Sequence, residues 1–182
     1  MSYIVSIEDT VKNEFYPLTE SRLNWRKTPS SWSVLECIEH LNRYSSYYNH
    51  ELRKSLDNAK TKGYPVEHPK STWLGSKFIQ MMHPDNIKKQ KTLKRMDPAN
   101  SALDKSVVKK FLQYQEELRH IIQDTQTINL NKSYVPVEFM KLLKMNLGDA
   151  LTFVIVHEQR HISQAKNILN MNIPIAEPSL II

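Results

Sequence analysis

Glycine is scarce in this chain, at three of 182 residues: Gly63, Gly75 and Gly148. Nucleotide-binding α/β folds build their phosphate loops from clustered glycines, so such a fold is argued against. A single cysteine, Cys37, rules out an internal disulfide and fits a reducing, cytoplasmic setting. No stretch of 18 apolar residues occurs, so no membrane span is expected. The opening MSYIVSIEDTVKNEF lacks a basic segment followed by an apolar run, so no secretory signal is expected either. Internal repeats and low-complexity tracts are also missing.

What remains is ordinary for a globular protein. The chain is 40% hydrophobic and 24% charged, and its length suits one domain, 1–182, that buries a core without staples. A net charge of +6 permits contact with nucleic acid or anionic surfaces without requiring it.

The chain is organised around Ala150 to Asn170, ALTFVIVHEQRHISQAKNILN. At helical pitch, Leu147, Ala150, Leu151, Val154, Ile162, Ala165, Ile168 and Leu169 form one apolar stripe. His161 lies near the centre of that stripe, and His157 one turn earlier at its edge. Residues four apart on a helix are neighbours, about 6 Å apart along the axis, so two imidazoles can reach one metal ion.

Upstream, Ile7, Val11, Phe15, Leu18 and Leu23 have roughly helical spacing over residues 6–24, with a kink or break expected at Pro17. Ser33 with Glu36 reads as a capping box, placing a helix from Val34 to about Lys60. Cys37, Ile38, Leu41, Tyr44, Ser45, Tyr48, Leu52 and Leu56 form its inward stripe, with His40 on the flank. Residues 62–100 lack a sustained period, apart from a short helix expected in STWLGSKFIQMMH. Helical spacing returns from Leu103 to Thr125 (Val107, Val108, Phe111, Leu112, Gln115, Leu118, Ile121, Ile122). A second connection spans 129–145. Asn146 with Asp149 then resembles the start of the last helix. Four amphipathic segments with two long connections predict an all-α four-helix bundle.

Bundles carry ligand sites on inward side chains of facing helices. On the 157/161 pair alone, a metal site and two hydrogen-bonded core histidines are equally good readings. His40, on the inward flank of a capped helix, favours the metal. Three neutral imidazoles with an open position are the ligand set of a catalytic rather than a closed structural zinc site. Imidazole also suits nickel, copper and iron. The stretch His157-Glu158-Gln159-Arg160-His161 further matches H-E-x-x-H, in which the glutamate serves as the base of a metalloprotease. A protease needs a substrate cleft that a bundle does not offer. Glu158 falls inside the inward stripe, where it can be a partner fixing an imidazole tautomer, a general base, or half of an internal ion pair.

Trp32, Ser33, Glu36, His40 and Leu41 (W-S-x-x-E-x-x-x-H-L), with His157, Glu158, Arg160, His161 and Gln164 (H-E-x-R-H-x-x-Q), resemble the DinB/YfiT-like superfamily. The resemblance covers nearly the whole chain in order of elements. It implies an up-down-down-up bundle holding a divalent metal, zinc or nickel foremost, on His40, His157 and His161. A homodimer is implied by the same analogy. Ser30-Ser31 depart from the glycines that many relatives carry before the tryptophan, which affects the turn and not the ligands. Relatives include enzymes using a low-molecular-weight thiol, such as bacillithiol S-transferases and a mycothiol-dependent isomerase, and others described as metal-dependent hydrolases. Both chemistries act on a small-molecule substrate through a metal-activated nucleophile, thiol or water. The resemblance therefore leaves open a thiol transferase, a hydrolase, or a metal-bearing scaffold or sensor without catalysis.

Other candidates read more simply. Gln164 is expected to be a partly exposed helix residue, Cys37 a buried inert thiol, and Tyr44, Tyr47 and Tyr48 packing residues. Trp32 and Trp73 are expected to close the bundle ends or the pocket mouth. His50, His68, His83 and His120 read as surface. The basic run Lys88, Lys89, Lys91, Lys94, Arg95 reads as a solvated loop, then as an attractor of an anionic substrate. Without a recognition helix or aromatic interleaving, nucleic acid is not expected.

Overall fold

In the computed structural model, residues 2–86, 88 and 90–171 are described. The apolar tail IAEPSLII and Lys89 of the basic run lie outside them. The helices are α1 (Ser2–Thr10), α2 (Glu20–Asn24), α3 (Val34–Lys62), α4 (Trp73–Met82), α5 (Ser106–Asp124) and α6 (Leu147–Leu169). A π turn, Val11–Phe15, extends α1 up to Pro17, where the chain breaks into two helical pieces. No helix among the described residues is long and apolar enough to cross a membrane.

Local signals set the long helices. The Ser33 hydroxyl accepts from the Glu36 amide at 3.2 Å, and the Glu36 carboxylate accepts from the Ser33 amide at 2.7 Å. Glu36 does more than cap: it takes both arms of the Arg26 guanidinium and the Asn100 amide, tying two loops to the start of α3. At the far end Gly63 adopts φ +59°, the left-handed turn that suits glycine. Asn146 caps α6 by accepting from the Asp149 amide at 2.7 Å.

The contacts give the directions of the bundle helices. Asn42 bonds the Val107 carbonyl, Asn49 the Tyr114 carbonyl, and Arg53 pairs with Asp124. Partners advance together, so α3 and α5 are parallel. Tyr48 packs on Phe153 while His40, about two turns earlier, reaches His157 and His161, so α6 is antiparallel to α3. Ile4 shares a core with Val154, and Glu14 pairs with Lys166, so α1 runs with α6. The order is up-down-down-up.

The connection before α6 contains a hairpin of β1 (Tyr134–Val137) and β2 (Met140–Asn146), paired antiparallel. Val135, Val137 and Met145 face inward and join the core around Tyr48 and Phe153. Met140 and Leu142 point to solvent. The KLLK run of β2 has no clean alternation, which hides the strand in the sequence.

The apolar interior falls into two halves. One holds Ile4, Tyr48, Leu52, Leu118, Ile121, Ala150 and Val154; the other holds Ile7, Leu35, Ile38, Leu41, Phe111, Ile162 and Ala165. Between them, at the same level of each helix, lie buried polar residues: Glu8 on α1, His40 and Ser45 on α3, Gln115 on α5, and His157, Glu158 and His161 on α6.

Helix α4 docks on α6 through Asp149. One carboxylate oxygen accepts from the Thr72 amide and hydroxyl at 2.9 and 2.8 Å, the other from Ser71 at 2.6 Å. Gly75 faces that carboxylate so closely that a Cβ would overlap it. We expect Gly75→Ala to expel Asp149 from this cap and cost about 2–3 kcal/mol, lowering the melting temperature by roughly 5–10 °C. A thermal melt superimposing on that of the wild type would show that α4 is not held this way. Trp73, beside it, is 76% exposed and closes neither bundle end nor pocket, because Asp149 rather than the indole anchors α4.

Candidate metal centre

Three side chains meet where the two cores part. His40 comes from α3; His157 and His161, one turn apart, come from α6. One ring nitrogen from each lies within 4.8 Å of the others, and all three residues are buried. His40 Nε2 stands 3.2 Å from His157 Nε2.

The opposite edges of two rings are already committed. His40 Nδ1 lies 2.8 Å from the Met96 carbonyl, which can only accept, so Nδ1 carries the proton and donates. His161 Nδ1 likewise donates to Gln164 Oε1 at 2.9 Å. In the neutral rings this leaves a lone pair on each Nε2. Burial drives the His40 pKa down to about 4 and that of His161 to about 3, and pushes His157 well below its ordinary value. The neighbouring rings and the Arg160 guanidinium push His157 and His161 in the same direction. The cluster is therefore a set of neutral nitrogen donors near pH 7. That donor set fits zinc, nickel, copper or iron, and not magnesium or calcium, which take oxygen ligands.

Aromatic rings wall the cluster. Trp32 lies 4.8 Å from the His40 ring and 5.7 Å from that of His161. Tyr44 packs against His40 and His157, and Phe153 stacks on His157. Burial, then the charge of Glu138, raises the Tyr44 hydroxyl to about 12, so it stays protonated.

Glu158 is 2% exposed. It accepts from Gln115 Nε2 at 2.7 Å, and its other oxygen has no partner among the described residues. Burial raises its pKa to about 8, against the Gln115 hydrogen bond and with help from the nearby Glu8 charge. Cys37 is buried with its thiol pushed further up by burial, which suits an inert core residue.

Several contributors have little or no sequence signal. The Met96 carbonyl is a backbone group, which no side-chain pattern reveals. Gln164 is partly exposed on the helix, as expected, and also contacts His161 directly; its three-residue spacing from His161 was the available clue. Gln115, a lone amide in an apolar stripe, was another. Arg160 donates to the carbonyls of His83, Asn86 and Lys88, fastening the start of the basic connection to the helix that bears two histidines. Arg95, at the end of the basic run, pairs with buried Glu138. His50, His68, His83 and His120 are all exposed.

An up-down-down-up bundle with a buried three-histidine cluster across its second and last long helices describes one class of protein. The model of the DinB superfamily matches residues 8–165, and the chain belongs to that superfamily. Among solved structures it is similar to YfiT from Bacillus subtilis, described as a probable metal-dependent hydrolase with an unusual four-helix bundle topology. The TM-score is 0.55 at 16% identity, over 92% of this chain and 83% of that one, a likeness of fold. No curated protein sequence matches the chain.

Proposed function

We propose that this chain is a metal-dependent enzyme in which His40, His157 and His161 hold one divalent cation, zinc or nickel, through their Nε2 atoms. The observation that carries this reading is the convergence of three neutral ring nitrogens, two of them fixed by donation from Nδ1. A cation bound there would act as a Lewis acid, lowering the pKa of a coordinated thiol or water so that a nucleophile exists at neutral pH. The chain's own residues supply the rest. Trp32, Tyr44 and Phe153 limit water around the cluster and offer flat apolar surface to a small-molecule substrate. The Tyr44 hydroxyl, protonated, is a hydrogen-bond donor beside it.

Transfer of a low-molecular-weight thiol leads in this reading, on the family resemblance, and hydrolysis is second, favoured by the likeness to YfiT. A non-catalytic metal-bearing scaffold or sensor is the third. The purified protein, stripped and then reloaded with zinc or nickel, is to be assayed with a panel of such thiols plus an electrophile, and separately with activated esters and amides. Metal-dependent thiol consumption supports transfer, metal-dependent ester cleavage without thiol supports hydrolysis, and inertness in both supports the scaffold. Glu158 is the candidate general base. If so, Glu158→Gln lowers turnover by about 10²–10⁴ with metal content unchanged; an unaltered rate returns it to the polar layer as a structural residue. A homodimer in the cytoplasm completes the proposal, with the subunit number open to sedimentation analysis.

A further inference from the structure

Arg95, Met96 and Asp97 cross the His40 side of the cluster as a short strap, and each of the three is pinned. The Arg95 guanidinium holds the buried Glu138 carboxylate and, at 3.0 Å, the Glu138 carbonyl. Arg43, on α3 one turn beyond His40, donates to the carbonyls of Arg95 at 3.4 Å and Asp97 at 2.9 Å. The Trp32 indole donates to the Asp97 carboxylate at 3.2 Å. The Met96 side chain is buried, and its carbonyl is the acceptor for His40 Nδ1.

We propose that this strap orients His40 for the metal, and that Arg43 and Arg95, which do not touch the ion, are positioning residues for metal affinity. The inference rests on the assignment of the three histidines as ligands given above. An imidazole presents Nε2 along a fixed line only if its other nitrogen is held. Here the holder is a main-chain carbonyl on the connection between α4 and α5, and the anchors just named must offset the entropy of ordering it. Without them the carbonyl drifts, and the His40 ring loses both its direction and its preference for the Nδ1–H tautomer.

Charge makes the inference testable by sign. Arg43 and Arg95 are cations close to the cluster, so simple Coulomb repulsion predicts that neutralising either one tightens binding of a divalent ion. The strap predicts weaker binding. Zinc affinity of the full chain is to be measured by competition with a chromophoric chelator for wild type, Arg43→Met, Arg95→Met and Arg53→Met. The last breaks a pair with Asp124 in the α3–α5 seam, away from the strap, and serves as control. We expect each strap variant to bind about tenfold more weakly, the control to match wild type, and the metal-free melting curves to show that all are folded. Unchanged or tighter binding in both strap variants overturns the proposal. Long-range proton–nitrogen correlation spectra of the metal-free chain read the strap independently. His40 should show Nδ1–H alone in wild type and a tautomer mixture in both variants. A single Nδ1–H form surviving in both would also refute the strap. Failure of the wild type to bind zinc would overturn the ligand assignment, leaving the strap to be judged by these spectra.

Discussion

His157→Leu is expected to melt somewhat lower than the wild type without metal and to gain almost nothing from zinc. In the metal-free protein His157 Nε2 lies 3.2 Å from His40 Nε2, and removing one member of a buried hydrogen-bonded pair leaves the other unsatisfied at a cost of about 1–3 kcal/mol. Leucine fills a comparable volume but cannot replace that bond, so the metal-free variant should stay folded and lose about 1–3 kcal/mol, or roughly 2–12 °C. Zinc at about a thousand times its Kd adds about 4 kcal/mol to the wild type, a rise of roughly 8–16 °C. Losing one ligand of three should weaken binding by about two orders of magnitude or more, so the same zinc adds less than about 1.5 kcal/mol to the variant. His40→Ala should likewise cut metal content sharply while the helical circular dichroism survives. Differential scanning calorimetry with and without zinc, together with elemental analysis, checks both. Equal zinc-induced shifts in His157→Leu and wild type would remove that histidine from the ligand set.

The second large effect concerns pH. Glu158 has a folded pKa of about 8 against an ordinary value of 4.5, so the native state binds its proton more tightly than the unfolded chain does. The stability this contributes is complete below pH 4.5 and is lost as pH rises through 8. The histidines work in the other direction. Their folded pKa values lie below 6.5, so their contribution is complete above 6.5 and is lost as pH falls through about 4 for His40 and about 3 for His161. Above pH 6.5 the Glu158 slope therefore stands alone among these groups. The metal-free wild type should lose about 1.4 kcal/mol per pH unit, or about 2 kcal/mol between pH 6.5 and 8. Glu158→Gln keeps an amide at the same place, cannot ionise, and should flatten that slope. Urea denaturation at half-unit pH steps measures it. Parallel pH profiles for variant and wild type would mean that Glu158 is already ionised in the native state.

How much of this was legible in the sequence depended on whether the signal was local. The capping box at Ser33 and Glu36, the Asn146 cap and the apolar stripes marked α3, α5 and α6 to within a few residues, because caps and periodicity act over one or two turns. The break at Pro17 was legible for the same reason. From the residues themselves the geometry that brings His40 to His157 was visible only as a shared inward flank, since helix direction follows from packing; the resemblance to the DinB/YfiT-like superfamily supplied the set of three. The hairpin was hidden because β2 presents Met140, Lys141 and Leu142 to solvent, and its register comes from β1 rather than from alternation of its own. The outer supports of the site were least visible. A carbonyl at Met96 and a glutamate at 138, in segments without periodicity, become neighbours of the cluster only when the whole chain has folded.

Because α3 and α5 point the same way, the polypeptide leaving Gly63 must travel back along a helix about 43 Å long before it can begin again at Ser106. That return leg carries α4 and the turn that holds the His40 ring, so the crossover imposed by the topology also furnishes the surroundings of the three-histidine cluster. Two chains built on this plan can keep the same three nitrogens and still differ in what approaches them, simply by changing the length and chemistry of the leg. Diversity of substrate would then be written in the crossover, and the common three-histidine cluster in the first helix it leaves and the last helix of the bundle.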